Sequence, residues 1–185
     1  GTPVIKKIKR IPINLELAAN NKMLKIALKN KPNFVCIVPE NRKEITTEGG
    51  LNIKKNNKQV SMIVNKLNQN KIRTSLFINP NLKDIKLAKK IGSRCIEIHT
   101  GKISNKINNK QSYVKDLDNI NKCAKLGILL GLEVHAGHGI DFRTAKILSK
   151  IKEIEEFNIG QFIIGESIFD GFKHTIKKFK RIIKS

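Results

Sequence analysis

The sequence predicts an α/β protein built on a parallel sheet, and three observations predict it. Short β-branched runs alternate with longer amphipathic stretches along all 185 residues. The strands are apolar, and such an alternation is typical of a parallel sheet covered by helices. Polar side chains lie at or just after the carboxyl ends of successive strands. In a barrel, these strand ends form one ring around the active site. They are Glu16, Glu40, Asn79, Glu97 with His99, and His135 with His138.

An open doubly wound sheet fits the alternation but not these strand ends. Such a sheet concentrates its functional residues at one switch point. No GxGxxG motif follows the first strand of this sequence. The predicted fold is therefore a (β/α)8 TIM barrel.

The first half of the chain contains three predicted βα units. Each pairs a short apolar strand with an amphipathic helix. In the third unit Asn81 is the expected helix cap and Gly92 the expected helix stop. The strand and helix pairs are 13–18 with 21–30, 34–40 with 58–69, and 73–80 with 81–92.

The second half contains three more units. A polar segment, KISNKINNKQS, follows the fourth strand and is predicted to be a loop. The strand and helix pairs are 94–101 with a helix near 113–128, 132–139 with 141–151, and 156–160 with QFIIGESIFDGF and a basic helix ending near Lys184.

Six units do not close an eight-stranded barrel, and 185 residues are fewer than the roughly 200–250 usual for that fold. The start GTPVIKKIKRIP reads as the end of a helix that runs into the first strand. We therefore expect residues 1–185 to form a single, partial TIM-barrel domain that lacks two N-terminal βα units. Such a chain exposes two sheet edges and apolar surface, and is expected to be unstable or prone to aggregation.

Composition restricts the function classes. The longest apolar run, LGILLGLEV, is too short to span a bilayer, so a soluble, cytoplasmic protein is expected. Three widely spaced cysteines without a CxxC pair are expected to be free thiols. The 37 Lys and Arg against 15 Asp and Glu give a net charge of +22. The lysines are spread over the chain and aromatic residues are few, so this charge favours solvated helix faces and phosphorylated substrates over nucleic acid.

Two histidines in GLEVHAGHGI, His135 and His138, need separate interpretations. HxxH at a strand end lacks the helical spacing of HExxH and a nearby third ligand, so no metal site is predicted. His135 lies within the strand pattern, where a buried, hydrogen-bonded imidazole is expected. His138 lies between Gly137 and Gly139, which allow a tight turn and close approach of a substrate. The spacing leaves open whether His138 is a general acid or base or a structural loop residue.

Two carboxylates and two glycine-containing loops are further candidates. Glu16 and Glu97 either point to solvent or face the ring of a barrel, where partial desolvation suits them to proton transfer. TTEGG at 46–50 is either an ordinary loop or a phosphate cradle of backbone amides. NIGQ at 158–161 opens a helix at the position where barrels often bind phosphate.

In combination these motifs resemble the pyridoxine 5′-phosphate synthase family of vitamin B6 biosynthesis. The resemblance runs from NLELA to the terminal helix. The motifs that carry it are VPENRKEITTEGGLNI, EIHTG, EVHAGHGI and FNIGxxII.

The resemblance implies a (β/α)8 barrel and a homo-oligomer. It also implies condensation of 3-amino-2-oxopropyl phosphate with 1-deoxy-D-xylulose 5-phosphate to pyridoxine 5′-phosphate, phosphate and water. Such a reaction requires acids and bases but neither a metal nor another cofactor.

The same resemblance assigns roles to single residues. Glu16 is the implied proton acceptor, His138 the implied proton donor, and Glu97 the carboxylate that stabilises charge in the transition state. Thr46 is the implied contact to deoxyxylulose phosphate. Gly139, Gly160 and Gln161 are the implied contacts to the amino-ketone phosphate.

The sequence also departs from the family. The Asn-x-Asp-His and His-x-Arg stretches of the family's first two strands do not occur. Gln161 replaces a histidine and Glu166 replaces the usual arginine. Three hypotheses therefore compete: part of a working synthase, which we favour, an inactive remnant of one, or a basic nucleic-acid-binding protein.

Overall fold

The computed structural model describes residues 11–40 and 49–184. Six parallel strands form one sheet in the order β1 to β6, and each strand pairs with the next strand along the chain. The strands are β1 Asn14–Ala18, β2 Phe34–Val38, β3 Arg73–Ile78, β4 Cys95–His99, β5 Glu133–Gly137 and β6 Glu156–Asn158.

Eight helices connect and follow the described strands. They are α1 Asn21–Asn30, α2 Asn57–Gln69, α3 Leu82–Ile91, α4 Gly101–Asn108, α5 Val114–Leu129, α6 Phe142–Leu148, α7 Gln161–Asp170 and α8 Phe172–Lys184.

The strand order distinguishes between the two architectures that the sequence allows. Right-handed crossovers that always step to the next strand in one direction place every helix on the same face of the sheet. The described strands contain no reversal of order, and hence no switch point of the doubly wound kind. The result is an α/β half-barrel with a helix-covered outer face and an inner face.

Local sequence signals explain where the helices begin and end. The Asn20 side chain accepts a hydrogen bond from the Met23 amide and caps α1. Asn81 caps α3 by accepting from the Lys83 amide, and Gly92 ends that helix with φ of 92°. Both predictions for α3 are confirmed. Glycine tolerates that left-handed conformation, whereas a side chain there is strained.

The predicted loop over 102–112 is wrong in its first part, because α4 occupies Gly101–Asn108. The segment is rich in Lys and Asn, and this polar composition obscures a short apolar stripe in the sequence. Ile103 and Ile107 lie four residues apart on one face and are both buried in the core. This packing outweighs the weak helix propensity of the neighbouring asparagines.

The core lies between the outer face of the sheet and the helices. Successive strand residues point to opposite faces, so alternate residues of each strand enter this layer. Each of the core residues from the middle of the sheet is less than 1% exposed. They include Ile37, Leu76, Ile96, Ile98 and Val134.

The last two helices are covered less completely. Phe162 of α7 packs against Phe142 and Phe179, with ring centroids 5.0 and 5.9 Å away. No residue of α7 is fully buried. Its exposed apolar side chains include Ile164, Ile168 and Phe169. None of the helices in the described ranges combines the length and apolar character that crossing a membrane requires.

Candidate active site at the carboxyl edge of the sheet

A buried carboxylate lies on the inner face of the sheet, on β4. Glu97 is 5% exposed and is paired in register with Phe77 on one side and His135 on the other. Burial raises the pKa of Glu97 from 4.5 to about 7, because it penalises the charged form. The nearby charge of Glu16 acts in the same direction. Glu97 can therefore accept or donate a proton near neutral pH.

Two donors from other strands hold one oxygen of this carboxylate. Asn158 donates through Nδ2 to Glu97 Oε2 at 2.8 Å. The Cys36 thiol lies 3.5 Å from the same oxygen. Gly137 leaves the necessary space, because a Cβ at that position would lie 1.9 Å from Glu97 Oε1.

His138 follows β5 in a strained loop at the same edge. Its φ is 76°, in the left-handed region that non-glycine residues rarely adopt, and Gly139 follows with φ of 74°. The buried Thr100 holds this turn. Its amide donates to Gly137 O at 2.9 Å, and its hydroxyl lies 2.7 Å from His138 O. The strain is thus maintained by hydrogen bonds from Thr100, which lies between β4 and α4.

The His138 ring is packed among other rings. His99 lies beside it, with ring centroids 4.8 Å apart and planes inclined by 30°. Phe77 meets His99 edge-on at 5.3 Å. Gly101 makes room for both imidazoles, since a Cβ there would lie 2.8 Å from His138 Cδ2. Partial burial lowers the pKa of His138, and the charge of Glu16 opposes that shift.

Glu16 lies on the inner face of β1, paired in register with Cys36. Its neighbour Leu17 points to the outer face and is 1% exposed, whereas Glu16 itself is exposed. Its charge acts on both Glu97 and His138. The sheet therefore brings the three predicted acid–base residues to one side, as expected from their positions near strand ends.

Three of the four predicted phosphate contacts lie within the described residues. Gly139 lies directly after His138, and a Cβ there would lie 3.2 Å from Ser104 Cβ. Gly160 and Gln161 are exposed at the beginning of α7, where no N-cap side chain accepts a hydrogen bond from the helix amides. A Cβ at Gly160 would meet no atom within 4 Å, so its backbone is open to solvent. Thr46 lies outside the described residues.

His135 is buried within β5 and has hydrogen-bonding neighbours, as the sequence predicts. Its Nε2 lies 2.9 Å from Glu133 Oε1, and its Nδ1 lies 3.4 Å from Glu156 Oε1. Arg73 makes an ion pair with Glu133. Burial acts to raise the pKa of Glu133, but the bonds from His135 and Arg73 lower it overall. Within the described ranges, no three His, Cys, Asp or Glu side chains converge as metal ligands would.

Three residues of this site have contacts that the sequence does not predict: Asn158, Cys36 and His99. Asn158 ends β6, so the strand-end rule that selected Glu97 would also have selected it. Cys36 gave no comparable signal, because a cysteine inside an apolar strand is expected to be a core residue.

Glu166, where the sequence departs from the family, is half-buried and lies 3.9 Å from Lys178 Nζ on α8. Its negative charge therefore has a partner within the chain.

The chain is similar to known proteins in sequence and in fold. Residues 2–185 match the family described as "Pyridoxal phosphate biosynthesis protein PdxJ". A pyridoxine 5′-phosphate synthase from Pelagibacter ubique is 59% identical over 178 residues, covering 96% of this chain and 74% of that protein. The enzyme of the same name from Zymomonas mobilis is 43% identical and covers 94% of this chain and 67% of its own length.

Solved structures with a similar fold are distant in sequence. The tryptophan synthase A-subunit from Pyrococcus furiosus superposes with a TM-score of 0.61 at 14% identity, over 98% of this chain and 70% of that one. The citrate synthase SbnG gives a TM-score of 0.57 at 11% identity, over 92% of this chain and 72% of that one. At these identities the likeness concerns the fold alone.

Proposed function

The chain belongs to the PdxJ family of pyridoxal phosphate biosynthesis proteins, and from that membership we propose that it catalyses the synthesis of pyridoxine 5′-phosphate. The substrates are 3-amino-2-oxopropyl phosphate and 1-deoxy-D-xylulose 5-phosphate, and phosphate and water are released. Carbonyl addition, dehydration and ring closure each require proton transfer.

The placement of Glu97 is the observation that best supports this proposal. A carboxyl group with a pKa of about 7 changes its protonation state at the pH where a biosynthetic enzyme works. It lies on the same side of the sheet as Glu16 and near the loop of His138. An acid–base reaction with several steps needs such a set of groups, with different proton affinities, around one substrate.

Each of the three groups has a distinct proposed role. Glu16, which is exposed, accepts a proton from the bound substrate. His138 donates a proton, and its partial burial makes that donation easier by weakening its hold on the proton. Glu97 stabilises charge in the transition state, because a carboxylate in a buried site interacts strongly with a nearby charge.

The phosphate groups are proposed to bind at the surrounding loops. Thr46 contacts the deoxyxylulose phosphate. Gly139, Gly160 and Gln161 contact the amino-ketone phosphate, and the open beginning of α7 supplies amide donors there. Gln161 can donate a hydrogen bond but carries no positive charge, so phosphate binding depends on these amides and on the net charge of +22.

The proposal includes the assembly of the fold. The six described strands would be part of a single (β/α)8 barrel domain, to which further strands add at β1 and β6. The consecutive strand order and the similar solved structures support this view. The protein would act in the cytoplasm as a homo-oligomer, without metal or other cofactor and without nucleic acid as a partner.

The test is an assay of the purified protein with both phosphorylated substrates. Pyridoxine 5′-phosphate is measured by mass spectrometry, and inorganic phosphate is measured in parallel. We expect both products in the wild-type protein and a loss of about 100-fold or more in Glu97→Gln and in His138→Asn. Glu155→Gln and His174→Asn are matched controls, because both of these residues are exposed and lie outside the site.

Three results would contradict the proposal. Absence of both products would indicate an inactive member of the family. Product formation that is equally fast in the site variants and the controls would place the reaction elsewhere. Absence of product together with salt-sensitive binding to generic DNA or RNA would favour the basic nucleic-acid-binding alternative.

A further inference from the structure

Asn158 reaches Glu97 across an intervening strand. It is paired in register with Gly137 of β5, and Gly137 is paired in turn with His99 of β4. Because Gly137 has no side chain, the space above β5 is open to the two polar groups. The Asn158 amide and the Glu97 carboxylate meet there at 2.8 Å. A hydrogen bond between strands β4 and β6 therefore depends on a glycine in the strand between them.

Cys36 reaches the same carboxylate from the opposite side. It lies on β2, and the small Ser75 of β3 is its register partner toward β4. Its Sγ is 3.5 Å from Glu97 Oε2, and the side chain is fully buried. Burial, together with the charge of Glu97, raises the pKa of Cys36 well above its ordinary value. The thiol therefore keeps its proton at neutral pH and is a donor rather than a second negative charge.

The two donors converge on a single oxygen, Oε2. Among the described residues the structure gives no hydrogen-bond donor to Oε1, which lies over the Cα of Gly137. A carboxylate anchored through one oxygen keeps its orientation while the other oxygen gains and loses a proton.

We propose that Asn158 and Cys36 are positioning residues that anchor Glu97 through Oε2, so that Glu97 exchanges protons with the substrate through Oε1. This inference rests on the proposed function, and it adds proton exchange to the charge stabilisation proposed there for Glu97. In the transfer, a lone pair of Oε1 takes a proton from the substrate, and the electron pair of the broken bond stays on the substrate atom. In a later step Oε1 gives the proton to a hydroxyl group of the substrate, whose C–O bond breaks with its electron pair going to the oxygen, so that water leaves.

Both donors also affect how readily Glu97 ionises. A hydrogen bond to the charged form stabilises it and opposes the effect of burial. The titratable groups that face Glu97 are Glu16 on β1, Cys36 on β2, His135 on β5 and Glu156 on β6. The charges of Glu16 and Glu156 raise its pKa. Removal of either donor therefore raises the pKa of Glu97 further, whereas removal of an exposed amide elsewhere has no such effect.

The test measures the titration of Glu97 directly. Protein with ¹³C-labelled glutamate carboxyls is titrated by NMR, and the Glu97 signal is assigned by its loss in Glu97→Gln. We expect a midpoint near pH 7 in the wild type and higher midpoints in Asn158→Leu and Cys36→Ala. Cys36→Ser keeps a donor and should stay closer to the wild type. Asn65→Leu, at an exposed position of α2, should match the wild type.

Activity supplies the second readout. Each donor-removing variant should lower kcat by about 10- to 100-fold with a smaller change in KM, because the carboxylate is misplaced rather than absent. Circular dichroism checks that each variant is folded. If one of the variants Asn158→Leu and Cys36→Ala does not fold, the other still tests the inference.

Three outcomes separate the possible failures. Unchanged midpoints in folded Asn158→Leu and Cys36→Ala overturn the inference. Shifted midpoints with unchanged kcat overturn the role of Oε1 in proton exchange. If the midpoints shift in the variants but the wild-type protein makes no product, the anchoring of Glu97 is supported and the proposed function is contradicted instead.

Discussion

The two faces of the sheet differ in chemistry although they alternate along the same strands. On β4, Ile96 and Ile98 point outward into the helix-covered core and are fully buried. Between and beside them, Glu97 and His99 point inward. The outer face is held by contacts among apolar side chains, whereas the inner face combines ring packing with hydrogen bonds and ion pairs.

This difference separates stability from chemistry at the level of single residues. Burial of apolar side chains contributes most of the favourable free energy of folding. A buried carboxylate opposes folding unless it is protonated or well bonded. Neighbouring residues of one strand therefore act in opposite directions, and substitutions on the two faces should have effects of different kinds.

The largest effect on stability is expected on the outer face. Ile98→Ala removes a fully buried side chain from the middle of the core. We expect a loss of about 2–5 kcal/mol in the free energy of unfolding, measured by urea denaturation. Ile168→Ala is the matched control, because Ile168 is 79% exposed, and it should change stability by less than about 1 kcal/mol. Equal losses in the two variants would contradict the described core.

Next in size is the effect of Glu97 on the pH dependence of stability. Its pKa rises from 4.5 to about 7 on folding, so the folded protein takes up a proton. This contribution is fully present below about pH 4.5 and is lost as the pH rises through 7, a change of about 3 kcal/mol. Urea denaturation at pH 5 and pH 8 should reveal this loss in the wild type and in Glu155→Gln, but not in Glu97→Gln. Parallel curves for all three proteins would refute it.

Adding a Cβ to one face of the sheet at a time should have a smaller effect on stability. Gly137→Ala places a Cβ 1.9 Å from Glu97 Oε1 on the inner face, and Gly127→Ala places one 2.7 Å from Val134 Cγ2 on the outer face. Both should lower stability by about 1–3 kcal/mol. Only Gly137→Ala should displace the NMR titration of Glu97. A displaced titration in Gly127→Ala would mean that the two faces are not independent.

The smallest effect on stability is expected at Gly139, in the loop that follows β5. Gly139 and Gly171 have nearly the same φ, 74° and 77°. A Cβ at Gly139 would lie 3.2 Å from Ser104 Cβ, whereas one at Gly171 would meet no atom within 4 Å. Both alanine variants should lose about 1 kcal/mol through backbone strain. Thermal unfolding should give a slightly larger loss for Gly139→Ala, and a larger loss for Gly171→Ala would contradict the crowding described at Ser104.

The alternation of strands and helices was enough to predict the six strands and most helices. It predicts the outer face well, because apolar periodicity is a local signal that packing reinforces. The error over α4 has the opposite cause. There only Ile103 and Ile107 mark the buried side, and the surrounding polar residues outweigh them in any local reading of the sequence.

The inner face was predicted only in part. The strand-end rule selected Glu97 and Glu16, and both lie on the inner face of the sheet. It could not find the contacts of Glu97 with Cys36 and Asn158, because each joins residues 61 positions apart in sequence. Such contacts depend on strand order and register, which the sequence does not display.

The three cysteines make the motions of this layered structure measurable. All are free and buried, with Cys36 and Cys95 on strands and Cys123 on α5. Burial raises the pKa of Cys95 to about 12 and that of Cys123 to about 11, so a thiol reagent attacks only when the surrounding structure opens. The order of labelling then reports which layer opens first. Early reaction of Cys36 means that the sheet opens next to β1, and early reaction of Cys123 means that a helix lifts from an intact sheet.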